Sequence, residues 1–566
     1  MNILPLRRTI ERIRLGVRPF NVYRRGVGSR LSQNRQHQKW VLLLHMFVLI
    51  ILSMAIQSQF FPGKTPSETK INTTHYDAVI IGAGWAGLKA AQTMLDYGIS
   101  SILVLEANGH IGGRAKSINT KGPINSPDLI GNSENLPIEM GCEWLYLDSG
   151  NMEMEKTLNI RGMIEPALVI NNTKKLDSID FYEAAYYDQT VNANGIVETN
   201  LAENITTLKT TVWDKFNVDA PFNAINSSKE DDLKNYKMRH VLSAYEDHYL
   251  NLMRSIIEVE YAGDTTKLSS TEHVALASDT HYTSIHGLGF GNIAGKYAES
   301  FKSKIKLNAN VIEVNYSDER NNVITYVEDG AKKTVSANAV LVTVPLGVLK
   351  AGTIDFIPTF PDWKQDVIDN MGVGILNKCI LQWSNPSDVV WPKDKFWLEL
   401  ITPDEASADK WTTFFNPTSF KNVPVLVGFI AGDAAIDAED QTDDEILEDV
   451  MRNLKAMYPT IGKPDNTIIT RWGKETTARG SYAFKKVNRS WDKDRENLKK
   501  GIKRMWFAGE AMYSSPGTTI AAWETGTIAA RSMASILKYQ RNVRVGKERR
   551  RANITATPIP GAVYEN

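Results

Sequence analysis

The hydrophobic pattern changes period along the chain, and each change marks an element. Residues 40–56, "WVLLLHMFVLIILSMAI", form an apolar run broken only by His45 and Ser53. A run of this length, at the short end of what spans a hydrocarbon core of about 30 Å, predicts a membrane-crossing helix. Pro62, Pro66 and a Ser/Thr-containing linker separate it from "DAVII" (77–81), which leads through glycines into "LKAAQTML" and on to "SILVL" (101–105). Two continuous apolar strands flanking a helical stretch predict a βαβ unit in a sheet covered on both faces. Further on, "DDLKNYKMRHVLSAYEDHYLNLMRSIIEVEYAG" (231–263) repeats its apolar positions at threes and fours, which predicts a helix packed on one face. "IKLNANVIEVNYS" (305–317) and "NNVITYVEDGAKKTVSANAVLVTVPLGVLK" (321–350) alternate with period two around Asp329-Gly330 and predict strands and a hairpin. "ILNKCILQW" and "VPVLVGFIAG" predict further strands, 441–458 an acidic helix, and 501–540 a strand, a loop and a helix of small residues.

These elements sort into an α/β architecture. A Rossmann-like dinucleotide-binding domain is expected at 76–150, 285–350 and 471–540, interleaved with an α+β substrate-binding domain at 151–284 and 351–470. A basic N-terminus (1–39), a transmembrane anchor (40–60) and a linker (61–75) precede it, and 541–566, with its Arg/Lys cluster at 547–551, is expected to be a disordered tail.

Charge sharpens the N-terminal reading. Residues 1–39 carry ten Lys or Arg against one acid, Glu11. The positive-inside rule then puts the N-terminus in the cytosol and the catalytic region in a lumen or outside the cell. Secretion after cleavage at Ser53-Met54-Ala55, or import by an Arg-rich transit peptide, are the alternatives. Seven N-x-Ser/Thr sequons, at Asn72, Asn171, Asn204, Asn226, Asn315, Asn488 and Asn553, agree with a glycosylated lumenal domain. Over the whole chain 65 basic residues balance 65 acidic ones, which leaves no global field to recruit nucleic acid. The two cysteines, Cys142 and Cys379, read as buried thiols, and no metal-ligand spacing is present.

The chemistry starts at Gly82-Ala83-Gly84-Trp85-Ala86-Gly87. Gly82 permits the tight turn, Gly84 lets the backbone approach a pyrophosphate, and Gly87 lets helix and sheet pack closely. The helix N-terminus offers its N–H groups to phosphates. Glu106, at the end of the second strand, can accept both hydroxyls of an unphosphorylated ribose, so FAD or NAD is favoured over NADP.

"EANGHIGGRAKS" (106–117), "IEMGCEWLYL" (138–147), "VLVTVPLGVL" (340–349) and "FAGEAMYSSPGTTIAAWETGTIAA" (507–530) together resemble the flavin-containing amine oxidases, which include monoamine, polyamine and L-amino-acid oxidases. The polyamine oxidase branch is the most similar by eye, over residues 76 to about 538. The resemblance implies non-covalent FAD, since neither cysteine falls where monoamine oxidases tether their flavin. It implies that Gly82, Gly84, Gly87 and Glu106 hold the ADP half, that Gly113 and Arg114 lie beside the pyrophosphate and flavin, and that the Val311 backbone meets adenine. Glu510 would bind the ribityl or pyrophosphate region, and the stretch Gly517–Ala522, with Thr519, would open a helix under the isoalloxazine.

For catalysis the resemblance implies that Lys378 holds a water at the flavin and aids reoxidation by O2. It implies that Glu139, with Glu143 four residues on, attracts a cationic amine. Where L-amino-acid oxidases carry an Arg for the substrate carboxylate this chain has Trp144, which favours an amine without a carboxylate. The position that supplies an aromatic wall in the family falls on Thr518 or Thr519 here, so Trp523 or Tyr513 is expected to substitute. The implied reaction is hydride transfer from a neutral amine to the flavin, with O2 as acceptor giving H2O2 and an imine that hydrolyses to an aldehyde. A desaturase or protoporphyrinogen-oxidase-like enzyme, or a flavin demethylase or flavin scaffold, are the rival readings.

Overall fold

The apolar runs at 77–81 and 101–105 are continuous because their strands are covered on both faces. The computed structural model describes residues 73–120, 136–142, 144–146, 154, 184–188, 247–269, 282–284, 289–318, 320–402, 410–421 and 423–555. In it the strand His75–Ile81 lies between Ile102–Leu105 and Ala331–Val342 and is parallel to both. Ala78 and Ile80 face one core, with Val104, Ala339 and Leu341. Val79 and Ile81 face another, with Leu103, Leu105, Val340 and Val342. Each fully buried aliphatic side chain of this kind contributes about 1.5–3 kcal/mol, so neither face tolerates a polar residue.

The sheet has eight strands, in the order Asp355–Ile357, Asn310–Asn315, Asn322–Glu328, Ala331–Val342, His75–Ile81, Ile102–Leu105 and Ile305–Lys306, with Met505–Phe507 also paired to Ala331–Val342. The expected hairpin is there: Asn322–Glu328 runs antiparallel to Ala331–Val342, and Asp329 and Gly330 take φ of 51° and 75°, as a tight primed turn requires. Asp355–Ile357 pairs with Asn310–Asn315, so this sheet continues past the break expected after residue 350. A second sheet of six strands follows the order Asn466–Ile469, Leu376–Gln382, Val425–Ala431, Thr413–Phe415, Trp397–Ile401 and Ala184–Asp188. The helix Asp247–Tyr261 packs against it, and Thr442 and Glu445 form a capping box at the start of the acidic helix Asp443–Met457.

Small residues bring two helices into close contact over the first sheet. A Cβ on Gly526, in the C-terminal helix Thr519–Thr555, would lie 2.3 Å from the carbonyl oxygen of Ala86, in the helix Trp85–Asp96. The C-terminal helix corrects one expectation, because the chain beyond Arg541 continues as helix to Thr555. Packing of Ile520–Leu537 nucleates it, and the Arg- and Lys-rich sequence that follows propagates a helix once begun. No helix among the described residues is long and apolar enough to cross a membrane. The segment 40–60 lies outside the described residues.

One buried lysine, whose amine burial pushes down to about 6, ties the sheet's far edge to the site. Lys364 is fully buried and donates to the carbonyls of Asn497, Leu498 and Lys500, at the C-terminus of the helix Trp491–Lys499, with its Nζ 3.5 Å from the Phe507 ring centroid. At the other end of that helix the Trp491 indole donates to the Tyr513 carbonyl (2.8 Å) and so holds the loop after Glu510. Replacing Lys364 by Met keeps the volume but leaves buried carbonyls unpaired. It is expected to lower the unfolding free energy by about 1–3 kcal/mol, read by chemical denaturation.

Candidate active site

The carboxyl ends of the first sheet's strands open into a cavity of about 1140 Å³. This exceeds the roughly 300–1,000 Å³ typical of drug-sized ligand sites and has room for a dinucleotide. Gly82, Gly84, Glu106, Thr343 and Gly509 line it, each just past the end of a strand, where open α/β sheets bind ligands, and Val311 lines it from the start of the strand Asn310–Asn315. Gly82 has φ of 106°, and a Cβ there would sit 2.6 Å from Thr343 Oγ1; a Cβ on Gly87 would sit 2.0 Å from the Gly82 carbonyl oxygen. Glu106 is buried and accepts from the backbone N–H of Ala83 (2.7 Å) and of Asn108 (2.9 Å), which fixes its carboxylate at the rim of the glycine turn.

Gly84 differs from its neighbours. Its φ of −74° is open to any residue, and a Cβ would meet nothing nearer than the Gly112 carbonyl oxygen at 3.9 Å. Nothing in the fold demands glycine at this position, which fits a place where a ligand's phosphates approach the backbone. Two buried polar atoms on the cavity wall also lack partners, Oγ1 of Thr519 in the first turn of the C-terminal helix and Nε of Arg479. A hydroxyl at a helix N-terminus and an orphaned guanidine N–H both suit an anionic, acceptor-rich group. The residues present therefore fit FAD.

Arg114 and Glu510, 396 residues apart, meet on the cavity wall. Arg114 Nη1 donates to Glu510 Oε1 (3.0 Å) and to the Ser481 carbonyl (2.7 Å), while Glu510 also accepts from the N–H of Gly517 (2.9 Å) and of Ala483. Gly113, at φ of 61°, lines the cavity beside Arg114. This ties the Gly112-Gly113-Arg114 turn, the loop before the C-terminal helix and the strand Tyr482–Phe484, with Ser481 before it, into one frame.

Beyond this frame the wall becomes aromatic. Lys378, Trp397, Phe429, Trp472, Tyr261 and Tyr482 line the other arm, with Glu260 among them. Lys378 and Phe429 are paired neighbours on adjacent strands, and Lys378 Nζ donates to the carbonyls of Glu139 (3.0 Å) and Gly141 (2.9 Å). The Tyr482 hydroxyl donates to the carbonyls of Glu260 (2.9 Å) and Val259 (3.1 Å). Burial, then the charges of Glu260, Tyr261 and Glu510, hold the Tyr482 phenol far above its ordinary value, so it stays neutral. Glu260 is exposed, but the surface it presents belongs to the recessed cavity it lines, and burial pushes its carboxyl above the usual range.

Two expected site residues stand elsewhere. The Glu139 side chain is 2% exposed and absent from the cavity wall; its carboxylate accepts from Ser117 Oγ (2.7 Å) and the Phe290 N–H (2.8 Å). Its backbone carbonyl, not its charge, serves the site through Lys378. Trp523 is fully buried between Trp85 and Tyr297, with Lys89 Nζ 4.2 Å over its ring, because its step around the helix turns it away from the Thr519 and Ala522 face. Thr518 is at the cavity but caps the helix, accepting from the Ala521 N–H, and the Tyr513 carbonyl takes the Trp491 indole. Tyr482, Trp397 and Phe429 provide the aromatic wall instead. Cys142 lines the cavity, while Cys379 is buried, its thiol pushed up to about 12 by burial and by Asp443. Glu143 and the Trp144 side chain lie outside the described residues.

Sequence reasoning missed Glu260, although one local signal was present. The helix Asp247–Tyr261 places Glu258 and Glu260 in its last turn, with no basic residue there, against the preference of a helix C-terminus for cations. Glu258 is satisfied by Arg254 Nε and by the N–H and hydroxyl of Thr265; Glu260 is left facing the cavity.

Comparison with known proteins agrees with this geometry. Residues 85–534 match the family of flavin containing amine oxidoreductases. The chain is 26% identical over 472 residues to polyamine oxidase 2 of Arabidopsis thaliana, covering 81% of this chain and 88% of that protein. It is 28% identical over 466 residues to polyamine oxidase 3 of Oryza sativa subsp. japonica, covering 80% and 88%. Lysine-specific histone demethylase 1 homolog 3 of Arabidopsis thaliana is 26% identical, but only 30% of its length is covered. Among solved structures, putrescine oxidase bound to putrescine shares the fold with a TM-score of 0.59 at 17% identity, over 82% of this chain and all of that one. With the cradle, the Arg114–Glu510 frame and the match over most of its length, the chain belongs to the flavin-containing amine oxidoreductases, an FAD-dependent enzyme family.

Proposed function

We propose that this enzyme oxidises a diamine or polyamine, an amine that carries a second cationic group and no carboxylate, with O2 as the electron acceptor. The observation that carries the reading is Glu260, a carboxylate on the wall of a cavity that Tyr261, Tyr482, Trp397 and Phe429 also line, close enough to Tyr261 and Tyr482 for its charge to act on both phenols. A carboxylate attracts an ammonium group and aromatic faces stabilise it further, whereas an α-carboxylate on the substrate would be repelled. FAD held by the Gly82–Gly87 turn, Glu106 and the Arg114–Glu510 pair would supply the redox chemistry, which is acceptance of a hydride from the carbon next to nitrogen and passage of two electrons to O2, with H2O2 and a hydrolysable imine as the products. The protein's part is to orient the amine and keep water out. Glu260 fixes the remote ammonium, the aromatic walls exclude water, and Lys378 anchors the Glu139–Gly141 wall by its two carbonyl bonds. No side chain is assigned as a base, because a neutral amine needs none.

The test is anaerobic addition of putrescine, spermidine, spermine, a monoamine and an L-amino acid in turn to the purified protein. A diamine or polyamine is expected to bleach the flavin band near about 450 nm, and the amino acid is not. A bound flavin that none of these reduces would sink the amine reading and favour an apolar, desaturase-type substrate.

A further inference from the structure

Lys378 and Trp472 reach the cavity from different segments, yet both hang from one buried polar hub. On the strand Leu376–Gln382 alternation sends Lys378 to the cavity side and Asn377 to the opposite face, where it is 2% exposed. Asn377 Nδ2 donates to Glu439 Oε1 (2.9 Å), and that oxygen also accepts from the Gly473 N–H (2.7 Å). Asn377 Oδ1 accepts from the Trp472 N–H (2.9 Å) and from Thr470 Oγ1 (3.1 Å), which in turn accepts from the Lys378 N–H (2.7 Å). The backbones of both cavity residues are thus set by one carboxamide whose donor and acceptor ends cannot be exchanged.

The two side chains converge again on a single stretch. Lys378 Nζ holds the carbonyls of Glu139 and Gly141, and the Trp472 indole holds that of Met140 (3.3 Å). A Cβ on Gly141 would lie 1.9 Å from the Arg114 carbonyl oxygen, so this stretch is packed directly on the backbone of the residue that pairs with Glu510. We propose that Asn377, oriented by Glu439, is a positioning residue for the flavin-facing wall: through Lys378 and Trp472 it sets the 139–141 backbone and, behind it, Arg114. This rests on FAD occupying the cavity, not on which substrate is oxidised.

The test uses no amine. In full-length holoenzyme carrying Asn377→Asp, the new carboxylate faces that of Glu439, and the pair can sit together only when sharing a proton. At about pH 8 the variant is expected to bind FAD about 10-fold more weakly, with a shifted visible band, and to return to within about twofold of the wild type near pH 5.5, where the proton is regained. The wild type lacks this step. Thr470→Val, nearly isosteric, cuts the Lys378 branch alone and is expected to shift the flavin band with little change in melting temperature. An Asn377→Asp protein with wild-type affinity and band at every pH overturns the proposal. So does a melting-temperature loss with affinity lowered equally at all pH values, which would make the hub a structural brace only. If Asn377→Asp does not fold, Thr470→Val decides, and an unshifted band there overturns it.

Discussion

A Gly84→Val protein is expected to purify folded and colourless. Gly84 has an ordinary φ and free space where its Cβ would go, so the fold can accept the side chain. What the isopropyl group fills is the approach path to the backbone at the mouth of the glycine turn. Overpacking there is expected to weaken FAD binding on the order of 100-fold or more, about 3 kcal/mol. Because a ligand stabilises the state it binds, the variant should melt where FAD-stripped wild type melts, and added FAD should not raise that temperature. Gly87→Val makes the contrast. Its Cβ would lie 2.0 Å from the Gly82 carbonyl, so it should fail to give soluble protein at all. Stoichiometric flavin in purified Gly84→Val would show that the phosphates bind elsewhere.

Glu260→Gln is expected to lower kcat/KM for a diamine or polyamine by about 10- to 100-fold, the loss of a charged hydrogen bond worth about 1.5–3 kcal/mol. The loss should fall mainly on KM, because the remote ammonium is held equally in ground and transition states. Two further consequences follow from the raised carboxyl of Glu260. On the binding side, the wild type loses its attraction for the cation as pH falls through that raised value, and the variant lacks this limb. On the stability side, the folded state holds the Glu260 proton at pH values where the unfolded chain has released it, so stability from this group falls as pH rises. Gln removes that penalty, and the variant should melt slightly higher than the wild type at neutral pH. A variant with unchanged KM for every cationic amine would remove Glu260 from substrate recognition.

These two residues also show what was legible in the sequence. The glycine turn could be read directly because its constraints are local: a turn, a close approach and a helix start within six residues, followed by Glu106 at the next strand's end. The hairpin at Asp329-Gly330 was legible for the same reason. Arg114 and Glu510 carry no local signal of their meeting, and only the resemblance placed them together. Glu139 was expected at the substrate on the resemblance alone, and the Phe290 N–H from which its carboxylate accepts is 151 residues away, with no local signal of that bond. Trp523 was misread because the helix phase relative to the cavity is set by packing against Trp85 and Tyr297. Tyr482, Trp397 and Phe429 come from three separate segments that only the tertiary fold brings to one cavity. Nothing in their own neighbourhoods announces that meeting.

The first sheet also has a timetable. Its central strand, His75–Ile81, pairs with Ala331–Val342, and the latter pairs with Met505–Phe507. A ribosome adding roughly 5–20 residues per second leaves the N-terminal βαβ unit waiting tens of seconds for its last partner. Through that interval the glycine turn lacks Thr343 and Arg114 lacks Glu510, and one edge of an apolar parallel pair stands open to other chains. The cradle is therefore complete only when the C-terminal segment has joined the sheet and Glu510 has met Arg114, and until then the edge of His75–Ile81 that Ala331–Val342 will cover has no partner.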